Sequence, residues 1–389
     1  MMKLKKICVI ADGYPYGESN HCVFVRELVS ELTKQGIKCD VVVPQMISPI
    51  KKKYLPYHYT DVNDSGGMVD IWCPKFYHFS SQPGAMRLSQ YLHYRAVYNV
   101  IVREKLNPDA VYGHFIYLNG ISAIRIAQKL GRPSYIACGE NTNRLIAGSK
   151  PYSTGLKYHG WRKILEKVNG IIAVSSENRD LLLEVGYISS NTPVCVLPNG
   201  VNTTKFAPGD GRKKRRELKI EDDNLVVSFV GHFIPRKGPD RVDNAVADLD
   251  DVKTIFIGAG AFEPKSNCVV CGQIPHEEIP EYLRASDVFV LPTTGEGCCN
   301  AIIEALCCGI PVISSNGKFN DDILNDQVSI RIDPLNIDEI RASICSLKDD
   351  RARLKRMKNS TLEWSKRFSL EERAKNVIAF IEGNGQNAK

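Results

Sequence analysis

The sequence predicts an α/β protein built from two doubly wound domains in tandem. Short apolar runs of strand length alternate with longer helical patterns along most of the chain, which is typical of parallel sheets covered by helices. The apolar runs lack polar alternation, as expected for strands that are buried on both faces. The length of 389 residues allows two or three domains, at roughly 150 residues per domain.

Apolar runs in the first half predict the strands of the first sheet. These runs are Ile7–Ala11, Cys39–Val43, Ala110–Gly113, Ser134–Ala137, Ile171–Val174 and Val194–Leu197. Between the first two runs, apolar residues from Phe24 to Leu32 recur at helical spacing, and Gly36 follows as a stop signal. The succession of strand, helix and strand predicts a parallel crossover unit.

The alternation breaks at Pro198–Arg216, where turn and loop residues precede a basic run, and then resumes. The strands predicted after the break are Leu225–Val230, Thr254–Ile257, Val288–Leu291 and Pro311–Ser314. Ser369-Leu-Glu-Glu372 has the form of a capping box and predicts a last helix that ends near Gly383. We predict a first domain at residues 1–198 and a second domain at residues 199–368. Residues 369–389 are predicted to form a C-terminal helix and tail, with the helix returning to the first domain.

Ligands of open α/β sheets bind at the carboxyl ends of the strands. Two such domains facing a cleft would bring the loops after both sets of strands to one place. We therefore expect the functional residues in loops that follow strands.

The composition, with 43% apolar and 24% charged residues, is that of a globular chain and excludes a disordered or collagen-like one. No apolar run approaches the ~18 residues of a membrane-spanning helix. The basic opening Met1–Lys6 precedes an apolar run that is shorter than the ~7–15 residues of a signal peptide. We expect a cytoplasmic protein.

The net charge of +7 is unevenly distributed. Residues 1–199 carry 24 Lys and Arg against 15 Asp and Glu, whereas residues 200–389 carry 27 against 29. The basic half contains Lys51-Lys52-Lys53 and an aromatic-rich stretch from Tyr54 to Tyr98. Such a surface fits nucleic acid, an anionic membrane or an anionic substrate, and a solvated charged face is the ordinary alternative.

The thirteen cysteines do not form a disulfide framework or a metal site by their spacing. Cys268-Val-Val-Cys271 lacks the second pair that a structural zinc requires. Several others, such as Cys8, Cys39 and Cys195, lie in apolar strand contexts where a thiol acts as a small hydrophobic group. We expect no bound metal.

The segment from Thr293 to Val312 carries the strongest chemical signal. A strand ends before it and a helix begins near Asn300, so Glu296 lies in the loop and Glu304 about one turn inside the helix. The amides of residues 298–301 and the helix dipole form an anion site. Carboxylates beside that site would face hydroxyl groups of the ligand. The arrangement therefore suits a ligand with a diphosphate in the middle and a polyol at each end, such as a nucleotide sugar. The alternative is an ordinary connection with exposed glutamates.

Further glycine-containing segments support this interpretation to different degrees. In Gly231-His232-Phe-Ile-Pro-Arg236-Lys237-Gly238 the two cations can offset phosphate charge. The segment Pro198–Pro208 is interpreted as a hinge turn of architectural value. Gly258-Ala-Gly260 lacks the third glycine of a dinucleotide fingerprint, which argues against an NAD site.

Together these segments resemble family 4 of the retaining glycosyltransferases, which have the GT-B fold of two Rossmann-like domains. The matching features are the Glu296 and Glu304 pair, the segment Pro198–Pro208, the loop Gly231–Gly238, Gly272–His276 with Ala285–Pro292, and in the first half Pro108-Asp109, His114-Phe115 and Val174-Ser175. The resemblance covers nearly the whole chain. It is dense over residues 190–315 and looser over residues 45–105 and 138–165.

The resemblance implies how a nucleotide-diphosphate sugar would be bound. Glu296 would contact hydroxyls of the donor sugar and Glu304 the ribose. Lys237 would hold the diphosphate together with the amides of Asn300 and Ala301. Further donor contacts are implied for Ile274 beside the base and for Gly13, Gly17, Gly231, His232, Gly297, Cys298 and Cys299, with Gly13–Gly17 approaching the phosphates from the first domain.

The catalytic residues implied are Lys237, Glu296 and Arg236, and the acceptor side would include His114, Cys138, Glu140 and Asn141. Departures from the family pattern lie at His232, where arginine is common, at Cys138, where histidine is common, at Cys22, where a glycine is usual, and at Asn316–Asp322. Arg236 would then take over charge neutralisation from the missing arginine.

The implied activity is metal-independent, cofactor-free transfer of a sugar from a nucleotide sugar to a glycan, with retention of configuration. The basic first domain suggests a lipid-linked glycan acceptor in cell-surface polysaccharide biosynthesis. It also suggests peripheral contact with the inner face of the cytoplasmic membrane and no nucleic-acid partner. Two alternatives stay open, a sugar-nucleotide epimerase of the same fold and a non-catalytic glycosyltransferase-like partner.

Overall fold

The computed structural model describes residues 3–17, 21–47, 53–62, 66–79, 83–140, 159–265 and 267–383. It divides into two compact units. The first unit comprises Met1–Pro198 and Leu370–Lys389, and the second unit comprises Asn199–Ser369.

The first unit contains a doubly wound sheet. Its strands are β1 (Lys6–Ile10), β2 (Lys38–Val42), β4 (His58–Val62), β5 (Met68–Trp72), β7 (Ala110–His114), β8 (Ser134–Cys138), β9 (Gly170–Ala173) and β10 (Val194–Val196), while β3 (Gln45–Ile47) and β6 (Lys75–Tyr77) pair separately. In the described part of the chain, the spatial order is β10-β9-β8-β7-β1-β2-β5-β4. All neighbours are parallel except the hairpin of β4 and β5.

Helices cover the first sheet. They are α1 (Val23–Lys34), α2 (Pro83–Arg103), α3 (Ile121–Leu130), α4 (His159–Leu165) and α5 (Ser176–Glu184). Helix α1 buries Val25, Leu28, Val29 and Leu32, the residues at helical spacing in the sequence. Cys22, which caps this helix, has a φ of 58°. That left-handed conformation favours glycine, which is the residue that the family resemblance leads us to expect at this position.

The second unit contains the second doubly wound sheet. Its strands are β11 (Leu225–Val230), β12 (Val252–Ile257), β13 (Cys268–Gly272), β14 (Val288–Leu291), β15 (Val312–Ser315) and β16 (Ser329–Ile332), paired in parallel in the order β13-β12-β11-β14-β15-β16. Its helices are α6 (Arg212–Glu217), α7 (Pro239–Val246), α8 (Ile279–Ala285), α9 (Asn300–Cys307), α10 (Ile337–Asp349) and α11 (Arg351–Trp364). The basic run Lys213–Arg216, which ends the break in the sequence pattern, forms most of a short helix.

Each sheet has a topological switch point, where successive crossovers leave in opposite directions. In the first unit it lies between β1 and β7, and in the second unit between β11 and β14. Loops at the carboxyl ends of such a strand pair form the usual ligand crevice of open α/β sheets. The predicted fold class, two doubly wound α/β domains, is confirmed.

The C-terminal helix α12 (Leu370–Ile381) packs in the first unit, as the sequence predicts. Ala374, Val377 and Ile381 join the core of that unit. Arg373 donates to the carbonyl oxygens of Leu197 and Pro198. Helix α12 is thereby tied to the residues at which the first segment of this unit ends. None of the helices in the described residues has the length and apolar content needed to cross a membrane.

A buried ion cluster holds the amino end of β14 in the second unit. The carboxylate of Asp287 accepts hydrogen bonds from Arg215 at 2.5 Å and Lys358 at 2.8 Å, and from the backbone amide of Val226 at 3.0 Å. Burial by itself raises the pKa of Asp287, but the two cations outweigh it and hold the pKa below its usual value. The carboxylate therefore stabilises the fold above the pH at which an unfolded aspartate titrates, and this contribution is lost as pH falls through the folded-state pKa.

Replacing this carboxylate should destabilise the protein at neutral pH. We expect Asp287→Asn to lower the free energy of unfolding at pH 7 by about 1–3 kcal/mol, because the half-buried Arg215 and Lys358 would lose a charged acceptor. Urea unfolding measures the loss, and the difference from wild type should shrink below about pH 4. Asp248→Asn, which removes an exposed partner of Arg341, is the control and should cost under about 1 kcal/mol. Equal losses in both variants would contradict the assignment.

Candidate functional site

The candidate site of the second unit lies at its switch point. The loop after β11 carries Gly231 to Gly238, and the loop after β14 leads through Glu296 to helix α9. Because β11 and β14 are parallel neighbours, their carboxyl ends bring these loops together. The sequence places its two strongest motifs on the same loops.

Glu296 lies between two cations. Its Oε1 is 2.6 Å from Lys237 Nζ and 2.7 Å from the Arg236 guanidinium, and it also accepts a hydrogen bond from the Thr293 hydroxyl at 2.9 Å. Arg236 donates to the carbonyl of Gly295 as well. The Glu296 carboxylate thus neutralises part of the positive charge of Lys237 and Arg236, the two residues that the sequence analysis expects to bind a diphosphate.

Lys237 is a buried cation, with 9% of its surface exposed. Burial by itself would lower the pKa of Lys237. The Cys299 sulfur, which lies 3.8 Å from Nζ and carries negative charge only when the thiol ionises at high pH, and the Glu296 carboxylate raise this pKa above its usual value. Burial raises the pKa of the Cys299 thiol. Lys237 is therefore charged and Cys299 is a neutral thiol at pH 7.

Helix α9 begins beside this charge cluster. Cys299 has an extended backbone (φ −88°, ψ 107°) and precedes the first turn, so the amides of Asn300 and Ala301 lie at the positive end of the helix. Gly297 is buried, and Cys298 and Ala301 are half-buried. Such an amino terminus, next to two cations, can accommodate an anionic group.

Glu304, one turn into helix α9, is part of a chain of polar contacts. Its Oε1 lies 3.2 Å from His276 Nε2, and His276 Nδ1 lies 2.7 Å from Lys205 Nζ. Glu304 is 8% exposed, so the carboxylate is held in a sheltered place. Sequence reasoning assigned no role to His276 or Lys205.

Other donor-site residues expected from the sequence have different surroundings in the second unit. Gly231 continues β11 and bonds through its amide to the Ile257 carbonyl at 2.9 Å, whereas His232 is exposed. Ile274 is half-buried and packs against the core of the second unit. Of these residues, Gly231 lies next to the Lys237 side chain.

Two further side chains that the sequence did not single out hold the loops in place. Arg241 of helix α7 donates to the Pro235 carbonyl at 2.9 Å and to the Pro292 carbonyl at 2.7 Å, which joins the loop after β11 to the loop after β14. Asn199 donates to the Asn300 side chain at 2.8 Å. A buried arginine is recognisable only once both loops are known to be neighbours, so the sequence offered no signal for it.

In the first unit, the acceptor-side residues have different surroundings. His114 contacts the rings of Phe24 and Phe115, and burial together with the positive charge of Arg373 lowers its pKa to about 3. Cys138 is completely buried, and burial followed by the charge of Glu140 raises its pKa well above the usual value. Its side chain is a core group here, not a surface contact.

Glu140 is also largely enclosed, and its Oε1 accepts a hydrogen bond from the Ile116 amide at 2.7 Å. Asn141 lies outside the described residues. Gly13 and Gly17 follow β1, and Gly13 faces the His21 ring so closely that a Cβ would collide with it.

The first unit contains a cavity of about 600 Å³ at the carboxyl ends of its strands. Its walls come from the loops after β1 and β2, from helix α2 and from Leu118. The aromatic and polar lining residues are Asp12, Tyr14, Tyr16, His21, Gln45, Lys53, Tyr54, Phe76 and His93. A volume of this size suits a ligand of one or two sugar rings.

Solved structures share this architecture. The chain is similar to sucrose-phosphate synthase from Thermosynechococcus elongatus, with a TM-score of 0.75 over 97% of this chain and 98% of that chain at 17% identity. It is also similar to Anabaena HepE solved in complex with UDP, with a TM-score of 0.69 over 97% of this chain and 100% of that chain at 15% identity. Two doubly wound units with their loops at the switch points thus define a protein of the GT-B fold.

Family models identify the chain more closely. The model described as Glycosyltransferase Family 4 matches residues 23–205, and the model described as Glycosyl transferases group 1 matches residues 210–364. The two matches lie on successive parts of the chain and together span most of it. The chain belongs to family 4 of the glycosyltransferases, as the sequence motifs predict.

Its relatives act in glycan and glycolipid biosynthesis. A putative teichuronic acid biosynthesis glycosyltransferase, TuaC, of Bacillus subtilis is 26% identical over 327 residues, which are 80% of this chain and 81% of the relative. The Escherichia coli UDP-Gal:alpha-D-GlcNAc-diphosphoundecaprenol alpha-1,3-galactosyltransferase is 28% identical over 202 residues. That match covers 46% of this chain and about half, 51%, of the relative.

Proposed function

We propose that this glycosyltransferase moves a sugar from a nucleotide-diphosphate sugar to a lipid-linked glycan, with retention of the anomeric configuration and without a metal. The observation that carries the proposal is the juxtaposition of Lys237, Arg236 and Glu296 with the amino terminus of helix α9. This arrangement offers two cations and the amides of a helix amino terminus to a diphosphate, and a carboxylate to a neighbouring sugar.

In the proposed donor complex, the diphosphate binds Lys237, Arg236 and the amides of Asn300 and Ala301. Glu296 accepts hydroxyl groups of the sugar and Glu304 those of the ribose. The base lies beside Ile274, and Gly231, His232, Gly297, Cys298 and Cys299 line the remaining surface. Since both cations bind Glu296 in the structure, an arriving diphosphate would share them with this carboxylate.

The chemistry follows from the charge that develops at the leaving group. Breaking the anomeric bond leaves a nucleoside diphosphate anion and a sugar with oxocarbenium character. A buried lysine, an arginine and a helix amino terminus stabilise that anion from fixed positions, which costs little reorganisation in the transition state. The acceptor oxygen attacks on the face that the diphosphate leaves, the new glycosidic bond forms there, and the leaving phosphate takes the hydroxyl proton.

The cavity of the first unit supports a sugar as the acceptor. Aromatic rings of Tyr14, Tyr16, Tyr54 and Phe76 offer apolar faces. Burial lowers the pKa of His93 to about 3, so its imidazole is neutral at pH 7. The Ser122 hydroxyl lies 2.8 Å from its Nδ1 and accepts a hydrogen bond from Gln90.

A neutral imidazole among aromatic faces suits an uncharged sugar. The lipid-diphosphate carrier named for the Escherichia coli relative supports a lipid-linked acceptor.

A glycosyl-transfer assay tests the proposal. Incubation with a nucleotide sugar and a polyprenyl-diphosphate-linked glycan should consume donor only in the presence of acceptor, and NMR of the product should show the donor's anomeric configuration. Donor conversion without acceptor would favour the epimerase, and an inverted linkage would exclude the retaining mechanism. A protein that neither consumes nor binds any nucleotide sugar would be the non-catalytic partner.

The two glutamates should separate kinetically. Glu296→Gln should lower kcat, because a contact to the reacting sugar tightens in the transition state. The expected increase in activation free energy is roughly 2–4 kcal/mol. Glu304→Gln should mainly raise the donor KM, because the ribose barely changes during the reaction. The expected loss of binding free energy is about 1–3 kcal/mol. Steady-state kinetics measures both.

The control for these glutamate variants is Glu221→Gln, since Glu221 is exposed and precedes β11 at the opposite edge of the sheet. It should leave both constants and the melting temperature unchanged. Glu296→Gln also removes the carboxylate that binds Lys237 and Arg236, so it should lower the melting temperature, and its kinetics are measured well below that temperature. A kcat of Glu296→Gln within about twofold of wild type, under ~0.5 kcal/mol, would show that the donor sugar does not bind beside Glu296.

Peripheral contact with an anionic membrane is part of the proposal, and helix α2 offers a surface for it. Its exposed residues include Leu88, Tyr91 and Val102 as well as Arg87, Arg95 and Arg103. Wild-type protein should float with phosphatidylglycerol vesicles at low salt and be released at high salt. Arg95→Glu should weaken flotation, since each basic residue adds about 1 kcal/mol at such a surface. Lys355→Glu in the second unit is the matched control, and equal flotation with phosphatidylcholine vesicles would refute the contact.

A further inference from the structure

The segment Asn199–Phe206 reaches the candidate donor site at two points. At its beginning, Asn199 donates to the side chain of Asn300, the first residue of helix α9, at 2.8 Å. Near its end, Lys205 contacts His276, which contacts Glu304 in the same helix. The sequence gave this segment only a hinge role, whereas the structure brings its side chains to the residues expected to bind the donor.

The polar chain from Lys205 to Glu304 has a defined direction. An ammonium group has only donors, so at 2.7 Å the Lys205 Nζ must donate to His276 Nδ1. The imidazole proton is then on Nε2, which lies 3.2 Å from Glu304 Oε1 and donates to it. Lysine therefore fixes the tautomer of the histidine, and the neutral histidine fixes one oxygen of the glutamate.

Lys205 is itself held firmly. The Asn202 side chain accepts hydrogen bonds from the amides of Thr204 and Lys205 at 3.0 and 3.3 Å. Arg284 donates to the carbonyls of Lys205 and Ala207 at 3.0 and 2.7 Å. The buried ring of Phe206 lies 5.3 Å from the His276 ring. These contacts fix the backbone on both sides of Lys205.

We propose that Lys205 and His276 are positioning residues that orient the Glu304 carboxylate to accept the ribose hydroxyls of the donor nucleotide. The inference rests on the proposed function, because it assigns a ribose to Glu304. A carboxylate has about four lone-pair sites, so with one of them bound by His276, Glu304 can still accept two hydroxyl groups of a diol.

A neutral histidine is well suited to this task. It restricts the rotation of the carboxylate without neutralising it, so the charge remains available to strengthen hydrogen bonds from the ligand. A lysine in direct contact with Glu304 would instead compete with the ribose for the carboxylate. This relay, the chain of contacts from Lys205 through His276 to Glu304, thus orients the carboxylate. The positive charge of Lys205 is separated from Glu304 by the His276 side chain.

Discrimination between ribose and deoxyribose tests the proposal directly. Isothermal titration calorimetry with UDP, GDP, ADP and CDP identifies the nucleoside diphosphate that the wild-type protein binds most tightly. The same measurement with its 2′-deoxy form should give a Kd about tenfold or more weaker, the scale of a hydrogen bond to a charged group. The ratio of these two Kd values is the readout.

Breaking the relay should reduce this ratio. In Lys205→Met and in His276→Phe the ratio should fall to within about threefold, as it should in Glu304→Ala, which removes the carboxylate. Lys205→Arg keeps a donor and should restore a large part of the ratio. Lys355→Met removes an exposed lysine of helix α11 and should leave the ratio unchanged.

The possible outcomes separate positioning from a merely structural role. If Lys205→Met and His276→Phe weaken both nucleotides equally and keep the wild-type ratio, the residues support the fold and the proposal is wrong. Lys205→Met decides the question alone if His276→Phe does not fold. Should the wild-type protein bind none of the four nucleoside diphosphates, the proposed function fails, and this inference fails with it.

Discussion

The charge cluster at the switch point of the second unit depends on one carboxylate shared by two cations. Lys237 is buried, and an unpaired ammonium in such a place would be strongly disfavoured. Glu296 removes that penalty by binding Lys237 and Arg236 through a single oxygen. Arg241 then keeps the two loops at the right separation, because it donates to a carbonyl on each of them. The parallel pairing of β11 and β14 brings these loops side by side.

Much of the architecture could be predicted from the sequence because strands buried on both faces leave a clear signal. Leu225–Val230 and Val288–Leu291 have the same bounds in the sequence prediction and in the structure. The strands His58–Val62 and Met68–Trp72 were not predicted, since the first has no buried residue and the second buries only every other residue, in an aromatic-rich stretch. That stretch suggested a surface, yet Met68–Trp72 is an inner strand of the first sheet.

The candidate site could be predicted in its residues but not in its contacts. The motifs and the family resemblance singled out Glu296, Lys237 and Glu304, and the sheet order explains why their loops meet. The pairing of Glu296 with both cations could not be derived, because it depends on side-chain directions in two loops that are distant in sequence. Lys205 and His276 likewise meet only through the fold of the second unit. Local patterns therefore reveal which groups are present, whereas their partners emerge from tertiary structure.

The internal pairing of Glu296 has a consequence for how such a site can bind an anion. A pair of free buried cations would be costly to keep and would attract any phosphate, whereas a carboxylate partner lowers both the cost and the indiscriminate attraction. A diphosphate that shares the cations would weaken their contacts with Glu296, and sugar hydroxyls are donors that the carboxylate can accept in their place. A ligand that carries both a diphosphate and a polyol would therefore offer partners to the cations and to the carboxylate together.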